Sequence, residues 1–511
     1  MLYYDDMSTK FIEKLARAHD SPRLFRTILV GTAILAGVIS LWIGLRQSVW
    51  FDEAYSILLA KQPIGELLRL TALDTHPPLY YVLLKGWAGL FGWSELSLRL
   101  ASVGSLVLTI VVAGLLLARL FGRKIALGVL PLLALAPLVL RYGFEIRMYA
   151  DAMLVGVAAT YVLVRAVQAK RAAHRNWWLA AYALLVVTGV YLLYYLAFLW
   201  IAHVVWLLVI TIRKRRPWQS LIPYVLSYVG AVMLFVPWLP TFIAQTSNGA
   251  LAPIGSPLNL EQLMGIATFN LLYQPLWMVS VGLTVLMIAV GAALVWLLPR
   301  AKRGLKDKTD EALLLALYIG VPIVLLMGIS LVSSMYTERY LSHLAIGLIM
   351  LLGVTIVAAA QASPKRERRR TGWAVAIIYG AMLVGTVQLA VTGNFNFQRM
   401  QTPTVREAAA SLTECASGTR LVMADPYVAT ELLYYMPDCP YAFVSEWDEL
   451  RGGYAYFSGS SHQVKDVKTL TDPRITYVFY GTPDQPLPEY YQETARREFG
   501  ALNVVEYTRA K

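Results

Sequence analysis

Two carboxylates, Asp52 and Glu53, stand in the stretch Trp50-Phe51-Asp52-Glu53-Ala54-Tyr55, directly after the first hydrophobic segment of the chain. Acids are costly to hold beside hydrocarbon, so an acidic pair where a chain leaves a bilayer invites a chemical role, such as general base. The competing reading is structural: Asp52 caps a helix that begins at Glu53, whose dipole favours acids. The same loop carries Asp74-Thr75-His76-Pro77-Pro78-Leu79-Tyr80-Tyr81. Its prolines suit the start of a helix, and Asp74 and His76 flank that start. A second polar turn supplies Arg141, Glu145, Arg147 and Tyr149, and a third reads Tyr336-Thr337-Glu338-Arg339-Tyr340. Residues two apart on a helix do not face each other, so Glu145 and Arg147 are assigned different partners. Snorkelling by Arg147, with Glu145 as its counter-charge, is the plainer alternative.

Arginine suits a phosphate held at such a place, because its planar fork pairs bidentately with phosphate oxygens. An acid nearby could take the proton of an attacking hydroxyl. A lipid-linked phosphate donor would need both, and would need them at a membrane face. A transporter would place its charges in mid-membrane beside broken helices, whereas His203 and His343 are the exceptions to apolar mid-span regions here.

The elements that position these residues follow from composition and charge. Of the 511 residues, 57% are hydrophobic and 15% charged, too apolar for a soluble globular protein. The net charge of +13 sits in short runs between apolar spans, which is how membrane orientation is encoded. No basic stripe with interleaved aromatics lies outside those loops, so nucleic acid is not expected as a partner. Residues 1–26 read as a cytoplasmic interfacial segment. Residues 27–392 read as a transmembrane domain of about 11 spans, with basic runs such as Arg213 to Arg216 and Arg368 to Arg370 all on one side. Residues 46–97 form a long outer loop. Within it, Leu79 to Phe91 is apolar but only 13 residues long, which suits an interfacial helix better than a crossing.

Residues 393–511 are polar, with short alternating β-branched runs, and are expected to form an extracytoplasmic α/β domain. Strands are expected at Arg420 to Met423, Ile475 to Tyr480 and Val504 to Tyr507, and helices at Thr404 to Leu412 and Ala429 to Tyr435. The chain's two cysteines, Cys415 and Cys439, both fall here. An oxidising compartment favours their pairing over two reduced thiols.

Three of these motifs, Trp50 to Tyr55, Asp74 to Tyr81 and Glu145 to Ala150, resemble those of the polytopic GT-C glycosyltransferases. The resemblance is to the family 39-like branch, related to protein O-mannosyltransferases and aminoarabinose transferases. It covers roughly Leu41 to Ala166 and thins to the turn at Glu338 to Leu341. One departure is Arg141-Tyr142-Gly143-Phe144, where the family more often carries a Ser-Gln step. The resemblance implies a polyprenyl-phosphate-linked sugar donor, a glycan, lipid or protein acceptor and a plasma-membrane location, in which the one-sided basic runs make the N-terminus cytoplasmic. It places catalysis on Asp52, with Glu53 beside it, and the donor phosphate at Arg339 and Tyr340. Asp74, His76, Glu145, Arg147 and Tyr149 are expected to bind substrate. No cofactor is certain: several members need no metal, although Asp52 with Asp74, His76 or Glu145 could hold a divalent cation. The competing classes are a lipid-linked glycan flippase or transporter without chemistry, and a glycan ligase or polymerase using a diphosphate-linked donor.

Overall fold

A computed structural model of the chain describes residues 20–247, 271–273, 281–330, 339, 342–392, 405–412 and 419–510. It divides into two compact units. The first comprises 1–42, 102–239 and 252–391, and the second 43–101, 240–251 and 392–511. The loop 46–97, read from sequence as part of the transmembrane domain, thus belongs entirely to the same unit as the C-terminal α/β region.

The helices, in chain order, are α1 (Pro22–Leu45), α2 (Phe51–Lys61), α3 (Ile64–Ala72), α4 (Leu79–Phe91), α5 (Glu95–Phe121), α6 (Arg123–Leu135), α7 (Pro137–Phe144), α8 (Tyr149–Val167) and α9 (Ala172–Leu192). They continue with α10 (Leu196–Arg213), α11 (Ile222–Phe235), α12 (Leu239–Ser247), α13 (Val281–Gly304), α14 (Thr309–Ser330), α15 (Ser342–Ala362), α16 (Arg368–Thr392), α17 (Val405–Ser411) and α18 (Pro426–Tyr435). Among the described residues, nine helical segments are long and apolar enough to cross a membrane, or ten if the bent pair α6 and α7 is one span. The eleventh span of the sequence reading falls on α9. It is not among those nine, yet its 21 residues would reach about 31 Å at 1.5 Å per residue.

In the first unit, α8 packs on α9, α10 on α14, and α13 and α6 on α15. His203 is fully buried in this bundle. Its ring nitrogens lie 2.8 Å from the Tyr182 hydroxyl and 3.0 Å from that of Thr160. Tyr182 in turn meets the Tyr228 hydroxyl at 2.6 Å. One buried polar chain therefore ties α8, α9, α10 and α11, as hydrogen bonds between membrane helices do. The basic loops are tied as well. Arg213 and Lys214 pair with Asp310 at 2.8 and 3.0 Å, and Arg300 pairs with Glu367 at 2.8 Å. Three of the basic runs consequently share one end of this bundle.

The second unit contains a six-stranded sheet: β1 (Arg420–Met423), β2 (Tyr441–Val444), β3 (Gln463–Val464), β4 (Arg474–Tyr480), β5 (Tyr491–Phe499) and β6 (Leu502–Arg509). Their spatial order is β3-β2-β1-β4-β6-β5. Strands β1 to β4 pair in parallel, while β6 runs antiparallel to β4 and β5 antiparallel to β6. Alternation puts Leu421 and Met423 on one face and Val422 on the other, and both faces are buried. The core on the first face includes Leu58 of α2. A helix of the 46–97 loop therefore completes the hydrophobic core of the α/β region. Cys439 is disulfide-bonded, and Cys415 lies outside the described residues.

Candidate active site

Helix α2 starts at Phe51, one residue before Asp52, with Trp50 as its N-cap residue. This corrects the reading of Asp52 as a cap: it is the second residue of the helix, and the reach-back to the cap is made by Glu53, which accepts the Trp50 N–H at 3.3 Å. Glu53 is buried and has a second task. Arg99, fully buried in the first turns of α5, donates to it at 2.8 Å and pairs with Glu95 at 2.9 Å. Glu95 also receives the Arg406 guanidinium of α17 at 2.7 and 2.8 Å. Burial works against the charge on Arg406, but Glu95 and Tyr435 more than offset it and its pKa is raised. Asp52 is only partly buried, and its backbone carbonyl accepts the Ser56 hydroxyl at 2.8 Å.

The chain entering α2 is not helical, so its backbone groups need side-chain partners. They find them. Arg406 donates to the carbonyls of Leu45 at 3.1 Å and of Gln47, and Arg99 to that of Ser48 at 3.4 Å. The Tyr435 hydroxyl accepts the Val49 N–H at 2.7 Å, and Glu431 accepts the Phe51 N–H at 3.1 Å. At the far end of α2, Lys85 of α4 donates to the carbonyls of Ala60 and Gln62 at 3.2 and 2.9 Å. A cation at a helix C-terminus is the favourable polarity.

Asp74 and His76 are both buried in the turn before α4. Thr75 links them, its hydroxyl 2.7 Å from His76 Nδ1 and donating to Asp74 Oδ1 at 3.4 Å. Tyr81 donates to Asp74 Oδ2 at 3.1 Å, and its ring meets that of Tyr55 edge-on at 6.3 Å. Since Tyr55 lies three residues along α2 from Asp52, the turn is braced on the helix face that carries the acid. The turn's own backbone is held by Gln245 of α12, whose amide donates to the carbonyls of Thr71 and Asp74 at 3.0 and 2.8 Å. The Gly452 N–H reaches the Leu73 carbonyl at 3.0 Å.

In the first unit, the chain bends by 60° between α6 and α7, where Ala136 is extended and Pro137 begins the new helix. Helix α7 delivers Arg141 and ends at Phe144, with Glu145 as its extended C-cap residue. Residues Glu145 to Arg147 form a tight turn, not a helix, with the Arg147 N–H on the Glu145 carbonyl at 2.7 Å. The Ser102 hydroxyl donates to the same carbonyl at 2.7 Å. Arg141 Nε lies 4.0 Å from the Glu145 carboxylate. Arg147 lies 5.9 Å from the centre of the Tyr149 ring, which packs at 5.1 Å on Tyr142. Gly143 is required by close packing: a Cβ there would stand 2.3 Å from Leu106 Cδ2 and 2.9 Å from the Ser40 hydroxyl. That hydroxyl donates to the Leu140 carbonyl at 2.7 Å. Arg339 is half-buried in the first unit, and Tyr340 lies outside the described residues.

This architecture has known counterparts. Residues 75–240 match a family model described as dolichyl-phosphate-mannose-protein mannosyltransferase. No curated protein matches the sequence. The crystal structure of ArnT from Cupriavidus metallidurans bound to undecaprenyl phosphate is similar, with a TM-score of 0.63 at 15% identity, covering 95% of this chain and 98% of that one. The same protein in the apo state gives 0.58 at 15%, covering 93% and 97%. The chain has a GT-C fold. The family 39-like resemblance is borne out in the fold by these structures and, over residues 75–240, by the family model. The protein is a multi-pass membrane protein.

Sequence reasoning about this GT-C chain overlooked the groups that fix the backbone ahead of Asp52 and the turn at Asp74: Arg99 and Glu95, Arg406, Glu431 and Gln245. A signal was present for the first two, an acid and a base four residues apart at the head of a span. Among the described residues, no three His, Cys, Asp or Glu side chains are grouped so as to hold a metal ion.

Proposed function

We propose that this protein transfers a sugar from a polyprenyl-phosphate donor to a hydroxyl of a glycan, lipid or protein acceptor at the outer face of the plasma membrane. The observation that carries the reading is the match of residues 75–240 to the mannosyltransferase family model. Those residues contain His76 and the Glu145–Tyr149 turn. The fold supports it, being that of ArnT, whose structure holds undecaprenyl phosphate. In this orientation the N-terminus is cytoplasmic and the α/β region extracytoplasmic.

Asp52 is the general base. The acceptor oxygen bonds to the anomeric carbon as the bond from that carbon to the phosphate oxygen breaks, with inversion. The electron pair leaves with the phosphate and the hydroxyl proton passes to the Asp52 carboxylate. The leaving phosphate is a weak base and needs charge stabilisation more than a proton, a role for Arg339 and Arg147. What supports Asp52 over Glu53 is that Glu53 is buried against Arg99 and the Trp50 N–H, while Asp52 is the more accessible of the two.

The test is to incubate purified protein with a mass-tagged polyprenyl-phosphate sugar and candidate acceptors. Release of free polyprenyl phosphate with a glycosylated product is the expected result. Movement of intact donor across a vesicle without product would make it a flippase, and activity only with a diphosphate-linked donor would make it a ligase or polymerase.

A further inference from the structure

We infer that the C-terminal α/β region positions the catalytic acid through one face of α18, with Glu431 as the central residue. This rests on the reading of Asp52 as the base. Tyr427, Glu431 and Tyr435 recur every four residues, so they form one stripe along α18. All three contact Phe51 or Val49, within the three residues just ahead of Asp52. The Tyr427 ring stacks on Phe51 at 4.5 Å with the planes 5° apart. Glu431 accepts the Phe51 N–H at 3.1 Å, and Tyr435 accepts the Val49 N–H at 2.7 Å.

Glu431 is itself fixed. It is 3% exposed, and Tyr480 of β4 donates to its other oxygen at 2.7 Å. Helix α18 begins sharply, with Asp425 accepting the Val428 N–H at 2.8 Å and Pro426 in the first turn. A buried carboxylate on an N–H at the head of a helix is a strong, charge-assisted contact. It sets the backbone from which the Asp52 side chain leaves, and a base must be aimed within a fraction of an ångström to act. A core-filling role would need only apolar side chains at positions 427, 431 and 435. An acid and two hydroxyl-bearing rings aimed at one short segment indicate registration of that segment.

The test compares Glu431→Ala, Glu431→Gln and Tyr480→Phe in the full-length protein, each alone and combined with Asp52→Asn, by single-turnover release of polyprenyl phosphate. Glu431→Ala should lower kcat by about 10- to 100-fold with the donor KM within about twofold of wild type. Glu431→Gln keeps an oxygen for the Phe51 N–H and should restore most of the rate. Combined with Asp52→Asn, Glu431→Ala should cost almost nothing further, because a residue acting through Asp52 has nothing left to position. If Glu431→Ala does not fold, Tyr480→Phe, which loosens Glu431 without removing it, should show the same pattern at smaller amplitude. Wild-type kcat in the folded variants, or an equal loss with and without Asp52, overturns the inference. Wild-type turnover in Asp52→Asn alone overturns the base assignment instead.

Discussion

Glu53 Oε1 accepts a hydrogen bond from Arg99 Nη1 at 2.8 Å, and the two side chains are 1% and 0% exposed. This pair separates two adjacent acids that the sequence presents alike. Breaking a buried ion pair leaves a charge without its partner and costs on the order of 3–5 kcal/mol. Glu53→Ala should therefore lower the melting temperature and folded yield sharply. Asp52→Asn should do the reverse: melting close to wild type, with turnover reduced by roughly 10²- to 10⁴-fold. Thermal melts and turnover measured on both variants decide it. A stable, slow Glu53→Ala protein would move the catalytic assignment to Glu53.

Gly143 offers a second test, in the first unit. A methyl group there would stand 2.3 Å from Leu106 and 2.9 Å from the Ser40 hydroxyl, and overpacking of this kind costs about 1–3 kcal/mol. Gly143→Ala should lower thermal stability in detergent, and Leu106→Ala in the same chain should recover part of the loss. No change in melting would mean that α7 does not need its close approach to α5.

How far these features were legible depends on whether their causes are local. The membrane spans were, because length and hydropathy are properties of a single segment. So were α17, β1, β4 and β6, which carry their own periodicity. Strand β5 was not: its burial pattern is almost wholly exposed and its sequence is rich in charge, so it has no apolar alternation to read. Strand β3, at two residues, is too short for a pattern, while β2, as long as β1, went unread. Helix α18 begins three residues before its expected start, since Asp425 and Pro426 supply the cap and first turn. The start of α2 was misplaced for a deeper reason. The acid that receives the Phe51 N–H is Glu431, 380 residues away, and no local rule can find it.

Topology is open to direct measurement. Cysteines introduced at the exposed positions Lys170 and Lys365 should resist an impermeant thiol reagent in intact cells, as the rule of positive charge on the cytoplasmic side requires. One at exposed Lys468, in the α/β region, should react. Labelling of Lys365→Cys from outside would place the α/β region in the cytoplasm and remove the outer-face site with it.

The arginines test the phosphate contact apart from the base. Lysine keeps the positive charge but loses the planar fork, so a bidentate contact weakens while a snorkelling charge is little affected. Arg339 is only half-buried, so Arg339→Lys fits without a large cavity and reports on the loss of the fork. Arg147 sits in the Glu145–Arg147 turn beside Tyr149 at 5.9 Å, where a lysine would also give up stacking on the ring. A charge-assisted phosphate contact contributes about 1.5–3 kcal/mol, or roughly ten- to a hundred-fold in affinity. Arg339→Lys is therefore expected to weaken donor binding by that factor. Arg147→Lys should do so by less, with a modest loss of thermal stability from the ring contact. Binding of an undecaprenyl-phosphate probe to the folded variants is the measurement. Unchanged affinity in both would put the donor phosphate on other residues while leaving the assignment of Asp52 untouched.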